Sequence, residues 1–151
     1  MSRKQAREIA LHLVFEMGFN QFEADEILTD RLDESILKSI SGEIELYAGK
    51  ISEKDSTYIR EVVKGVATHL AELDELVEKN AKGWSMKRIS RMTMAVLRLA
   101  LYEMKYMQDV PVGVAINEAV ELAKTYETKD TGSFVNGILG AVSRQWGMGK
   151  E

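Results

Sequence analysis

The 151-residue chain has no cysteine, one proline, two histidines and only 7% aromatic residues. Without cysteine there is no disulfide scaffold, no thiolate zinc site and no cysteine nucleophile, and a reducing compartment suits it. His12 and His69 each lack a second histidine three or four positions away, so helical metal-ligand spacing is missing. Long apolar runs are missing too. The stretch Leu99 to Tyr102 is far below the 18 or more residues that cross a bilayer. The N-terminus Met1-Ser2-Arg3-Lys4-Gln5-Ala6-Arg7-Glu8 is charged, and the apolar residues after it are interrupted by His12 and Glu16, unlike a secretory leader. A cytoplasmic protein without a membrane partner is expected. No G-x-x-x-x-G-K-[ST], G-x-G-x-x-G or G-x-S-x-G occurs, which removes the simplest phosphate cradles and nucleophile elbows.

What is present is a soluble, globular composition, 45% hydrophobic and 29% charged. The length fits one domain, residues 1–151, with a core of its own. A net charge of −4 counts against nucleic acid only if the charges are evenly mixed, and they are not. Arg3, Lys4 and Arg7 crowd the N-terminus, and residues 79–91 carry Lys79, Lys82, Lys87, Arg88 and Arg91 with no acid. Residues 16–55 hold 11 acids against 4 bases. Separation of this kind leaves basic patches on an acidic body, and a basic patch meets phosphate. On composition alone the favoured reading of the same residues is solvated helix ends.

The periodicity is helical almost throughout. Ser2 and Gln5 have the spacing of a capping box, and Ala6, Ile9, Ala10, Leu13, Val14 and Met17 follow as one apolar stripe. Phe22 to Leu28 and Leu32 to Ile40 read as two shorter helices. Ser52 caps a long helix to about Asn80, with Gly65 inside it and Gly83 as a stop. Ser85 or Ser90 opens the next, whose Met94, Leu97, Leu101 and Met104 form a seam. Pro111 disfavours helix before it and suits the first turn after it. Ala115, Ala119, Leu122 and Tyr126 mark the following helix. Asp130 or Thr131 caps a last one through Val135, Ile138, Leu139, Val142 and Trp146. There Asn136-Gly137, a turn signal, conflicts with an unbroken stripe. The sum is an all-α fold of about seven helices.

Little in this pattern does chemistry. Glu118 and Glu121 form an E-x-x-E, but di-iron bundles add Glu-x-x-His, which does not occur. No catalytic residue, metal or cofactor is expected. Arg98 and Glu118 stand at apolar seams, where an unpaired charge is costly. Their spacing suggests a structural ion pair between the two C-terminal helices.

The segments Ala95-Val96-Leu97-Arg98-Leu99-Ala100-Leu101-Tyr102-Glu103, Asp109-Val110-Pro111, Ala115-Ile116-Asn117-Glu118-Ala119-Val120-Glu121-Leu122-Ala123-Lys124 and Phe134-Val135-Asn136-Gly137-Ile138-Leu139 are similar to the NusB family of bacterial transcription antitermination factors. The N-terminal Arg-Lys-x-Ala-Arg-Glu fits as well, and residues 20–80 match mainly in pattern. The resemblance implies two packed helical subdomains. It also implies binding of single-stranded boxA RNA together with NusE, a ribosomal small-subunit protein. Other Nus factors and RNA polymerase complete the assembly, which carries transcription through ribosomal RNA operons. By resemblance, Arg3, Lys4 and Arg7 occupy the family's arginine-rich helix and Asp130 and Phe134 its RNA face. Val112 falls at a matching NusE-facing position, beside the end of the Met94 to Met104 helix. Lys4 and Gln5 dilute the family's arginine run, and lysine offers a point charge where arginine offers a fork.

The residues also carry plainer readings: Phe134 as a core aromatic, the N-terminal cations as a frayed, solvated end, and the whole as a helical interaction module or homodimer without specific RNA binding. A methyltransferase's RNA-binding domain is a further reading, disfavoured because no S-adenosylmethionine domain follows.

Overall fold

The computed structural model describes residues 2–20, 51–81 and 86–147. The two short helices expected between Phe22 and Ile40, and the stop at Gly83, lie outside these. Six α-helices occur among the described residues: α1 (Arg3–Asn20), α2 (Glu53–Thr68), α3 (Leu70–Asn80), α4 (Arg91–Tyr106), α5 (Val112–Tyr126) and α6 (Lys129–Gln145), with a 3-10 turn at Met86–Arg88. No strand occurs among them. The chain divides into two compact units, Met1–Thr68 and His69–Glu151.

In the first unit α1 packs on α2. Ile9, Leu13 and Val14 are fully buried, as are Ile59, Val62 and Val66 of α2. Both helices start on built caps. The Ser2 backbone N–H donates to Gln5 Oε1 at 2.8 Å and the Gln5 N–H to Ser2 Oγ at 3.2 Å, the reciprocal pair expected of a capping box. Ser52 Oγ likewise accepts from the Asp55 N–H at 3.1 Å.

The helix expected to run unbroken from Ser52 to Asn80 is two helices. His69, at φ −106° and ψ 19°, leaves helical geometry between them. Its ring stacks on Tyr106, centroids 4.2 Å apart, and its Nδ1 lies 3.1 Å from Glu72 Oε2. These contacts give the break its physical cause, since tertiary anchorage outweighs a continuous apolar stripe.

In the second unit α4 packs on α3, α5 and α6, and α5 lies along α6. Met94, Leu97, Leu101 and Met104 are buried as one seam against Ala115, Ala119, Leu122, Val135, Ile138 and Val142. Ser90 caps α4 and accepts from the Thr93 N–H at 3.0 Å, while Ser85, the other expected start, lies outside the described residues. The cap of α6 is Thr128, not Asp130 or Thr131: its Oγ1 accepts from the Thr131 N–H at 3.1 Å. The helix therefore begins earlier than expected and Asp130 sits in its first turn, where a carboxylate complements the helix dipole. Asn136 and Gly137 remain helical because both face solvent while Val135, Ile138 and Leu139 are buried beside them. At Gly132 a Cβ would come within 2.8 Å of Lys124 Cγ, so a side chain there would have to displace that of Lys124 on α5.

The ion pair expected between Arg98 and Glu118 is not formed. Arg98 on α4 instead grips Asp74 on α3 with both arms, Nε to Oδ1 at 2.7 Å and Nη2 to Oδ2 at 3.0 Å. A planar guanidinium prefers such a two-point match. Asp74 supplies it from a helix whose Leu73 and Val77 are packed in the core. Glu118 is half-buried on α5. Spacing along α4 and α5 identified a charge in need of a partner but could not identify the third helix that supplies one.

Candidate nucleic-acid interface

The N-terminal cations are held in a defined arrangement. The Ser2–Gln5 cap starts α1 at Arg3, so Arg3 and Arg7 stand one turn apart on one face. That face meets α2. The Arg3 guanidinium carbon lies 4.3 Å from the centroid of the Tyr58 ring and that of Arg7 lies 5.7 Å from it. Arg3 Nε is 3.6 Å from Asp55 Oδ1, an ion pair beyond hydrogen-bond length. The Nε is buried and has no hydrogen-bond partner. Asp55 is itself fixed, since its Oδ2 accepts from Ser52 Oγ at 3.0 Å. Of the three cations only Lys4 is exposed; Arg3 is half-buried and Arg7 is buried. The frayed, solvated terminus does not occur. Sequence reasoning missed Tyr58 and Asp55, because nothing in spacing brings residues about 50 positions apart onto the same two arginines.

The second unit carries a cleft of about 460 Å³ lined by Arg88, Ile89, Ser90, Thr93, Glu127, Asp130, Thr131 and Phe134. It contains Asp130 and Phe134, the two residues singled out near the last helix. The start of α4 and the start of α6 both border it, each with its capping hydroxyl at work. Glu127, which ends α5, accepts a 2.6 Å hydrogen bond from Ser90 Oγ and ties the two borders together. Phe134 is half-buried and forms part of the wall, Asp130 is exposed at the rim, and Arg88 brings a cation on the 3-10 turn. An aromatic face, carboxylates that accept from base N–H groups and a guanidinium are the side chains that hold an unpaired nucleotide. Arg88 was visible as part of a basic stretch and Ser90 as a cap. Glu127 carried no signal.

Val112 is the first residue of α5 and is half-exposed. Two large apolar side chains stand more open, Val114 at 43% and Tyr106 at 36%. They fall just after Pro111 and at the end of α4. The histidines have structural surroundings. Burial pushes the His12 imidazole pKa down, with Glu8 opposing, and His69 is stacked as described. No group of three or more metal-ligating side chains occurs among the described residues. Nor is any helix among them long and apolar enough to cross a membrane.

The chain is a small all-helical module among its described residues, and its second unit carries an aromatic, charged cleft. The NusB family model matches residues 4–144, and the chain belongs to the NusB family. It is 45% identical over 142 residues to a transcription antitermination protein NusB of Acetivibrio thermocellus, covering 94% of this chain and 88% of that one. It is 34% identical to a Clostridium botulinum NusB over 93% of this chain and 98% of the relative. Among solved structures, T. maritima NusB superposes with a TM-score of 0.79 at 30% identity, over 96% of this chain and 92% of that chain. NusB in a complex of antitermination factors NusB and NusE with double-stranded RNA superposes at 0.74 and 22% identity, over 95% and 96% respectively, which speaks to the fold.

Proposed function

We propose that this protein is a transcription antitermination factor that binds single-stranded boxA RNA jointly with NusE and promotes processive transcription of ribosomal RNA operons. It acts in the cytoplasm with other Nus factors and RNA polymerase, and by binding rather than catalysis. The observation that carries the reading is the cleft in which Asp130 and Phe134 meet Arg88 and Glu127. Membership of a family whose relatives are antitermination proteins supports it. The solved complex of NusB and NusE with double-stranded RNA, at 22% identity, supports the fold alone.

In this reading Phe134 stacks one base, Asp130 accepts from a base edge, exposed Lys4 and half-buried Arg3 face the phosphates, and buried Arg7 adds to the positive potential behind them. Two phosphates neutralised on a single strand give a log–log salt slope of about −1.4. Such binding is modest alone, so a second protein is needed for tight retention. Val112, with exposed Val114 and Tyr106 nearby in sequence to the two expected segments, is assigned to NusE.

The test is titration of labelled single-stranded boxA RNA at two salt concentrations, with and without NusE, beside a scrambled strand and a boxA duplex. The Arg3→Ala/Lys4→Ala/Arg7→Ala variant is expected to lose most of its affinity with its helical circular dichroism intact. Equal retention of boxA and scrambled RNA would favour a protein-interaction module or homodimer. Preference for the duplex would overturn single-strand recognition.

A further inference from the structure

The family reading assigns Arg3 and Arg7 to RNA but says nothing of what prepares them. Both guanidinium groups lie on one ring, that of Tyr58. Two like charges against one aromatic ring repel each other and are tolerated where something compensates. Here the ring's negative face and the Asp55 carboxylate together do so. Tyr58 is 3% exposed, so its ring is fixed by packing, and Asp55 is fixed by Ser52 at the start of α2. The support under the two arginines is therefore rigid.

A purely structural arginine would spend its fork, as Arg98 does on Asp74. Arg3 does not. Its nearest carboxylate oxygen is 3.6 Å from Nε, and its side chain makes no hydrogen bond among the described residues. It is held by stacking and charge, with its Nε buried and unpaired, while no carboxylate among the described residues closes on its guanidinium fork.

We infer that Tyr58 and Asp55 are positioning residues for RNA binding: they fix the guanidinium groups of Arg3 and Arg7 before the RNA arrives, and so concentrate positive potential at one point of the N-terminal unit. This rests on the proposed RNA role of the N-terminal cations. An arginine ordered in advance loses less conformational entropy when phosphate binds, an advantage of roughly threefold to tenfold in affinity for each ordered long side chain.

The experiment measures binding of single-stranded boxA RNA to the full chain with NusE. Tyr58→Leu, which removes the ring while keeping both cations, is expected to weaken binding by roughly threefold to tenfold. Tyr58→Phe keeps the ring and is expected to bind as the parent does. Asp55→Asn, a milder change to a side chain that also meets the cap, is expected to weaken binding in the same direction. The decisive measurement repeats Tyr58→Leu in an Arg3→Ala/Arg7→Ala background. If the ring acts through the arginines, its effect on affinity disappears there, while its effect on melting temperature persists. An undiminished effect on affinity in that background, or tighter binding by Tyr58→Leu alone, overturns the inference. Should Arg3→Ala/Arg7→Ala itself bind RNA like the parent, the RNA role of these cations is what fails.

Discussion

Arg98 in the second unit and Arg3 in the first are both half-buried arginines facing an aspartate on a neighbouring helix, yet their guanidinium groups are used differently. Arg98 makes two hydrogen bonds, at 2.7 and 3.0 Å, to Asp74. Arg3 stacks on Tyr58 and stops 3.6 Å short of closing on Asp55. A closed fork holds helices together and has nothing left for a ligand. An open one over an aromatic ring contributes less to stability and leaves its fork unclosed by the neighbouring carboxylate. Sequence position gives no hint of the difference, since each arginine simply recurs at helical spacing beside apolar residues.

The comparison breaks first at Arg98. Arg98→Ala strands the Asp74 carboxylate beside the core, and charge-assisted bonds of this kind hold about 2–3 kcal/mol when partly screened by solvent. Chemical denaturation should show a loss of that size with RNA affinity at the folded state unchanged. In a double-mutant cycle Arg98→Ala should couple to Asp74→Ala and add simply with Glu118→Ala. Coupling to Glu118 instead would restore the pair that spacing alone suggested.

That miss shows how legible the chain was. The all-helical fold, the Ser2–Gln5 box, the Ser52 cap and the Met94 to Met104 seam follow from local pattern, because caps and stripes are decided within a few residues. The break at His69, the Arg98 partner and the Tyr58 support depend on side chains from helices distant in sequence. Local pattern does not contain them. The cleft was half legible: Asp130 and Phe134 came through family resemblance, whereas Glu127 and Ser90 meet only in three dimensions.

Phe134→Ala removes the aromatic face that we propose stacks a base, and loss of one such contact should weaken single-strand binding by about 1–2 kcal/mol, up to roughly thirtyfold. Its salt slope should stay near that of the parent because no phosphate contact is lost. Arg88→Ala should do the reverse, flattening the slope by about 0.7 if it meets one phosphate. Titrations at several salt concentrations separate the two. A Phe134→Ala protein that binds RNA normally but melts early would return that ring to the core.

The smallest effect belongs to a closed pair at the surface. Glu72 on α3 accepts hydrogen bonds from Lys105 and from the Tyr106 hydroxyl, the latter at 2.7 Å, and His69 faces it. Its carboxyl is held below the usual range by the Lys105 hydrogen bond first and the Tyr106 hydroxyl next. The same contact raises the Lys105 ammonium. A carboxylate lowered in the folded state stabilises above its unfolded-state value, and that stability is lost as pH falls through the folded value. The raised ammonium stabilises below its own unfolded-state value and loses this as pH climbs beyond it. Glu72→Gln should therefore be less stable than the parent near neutrality, with the gap closing at acid pH. Because the group is open to solvent, the gap is about 0.5–1 kcal/mol at most and shrinks with salt. RNA affinity should not follow it. A gap that persisted at pH 3 would mean Glu72 holds α3 to α4 through shape rather than charge, and the contrast between spent and unspent charges would then rest on Arg98 alone.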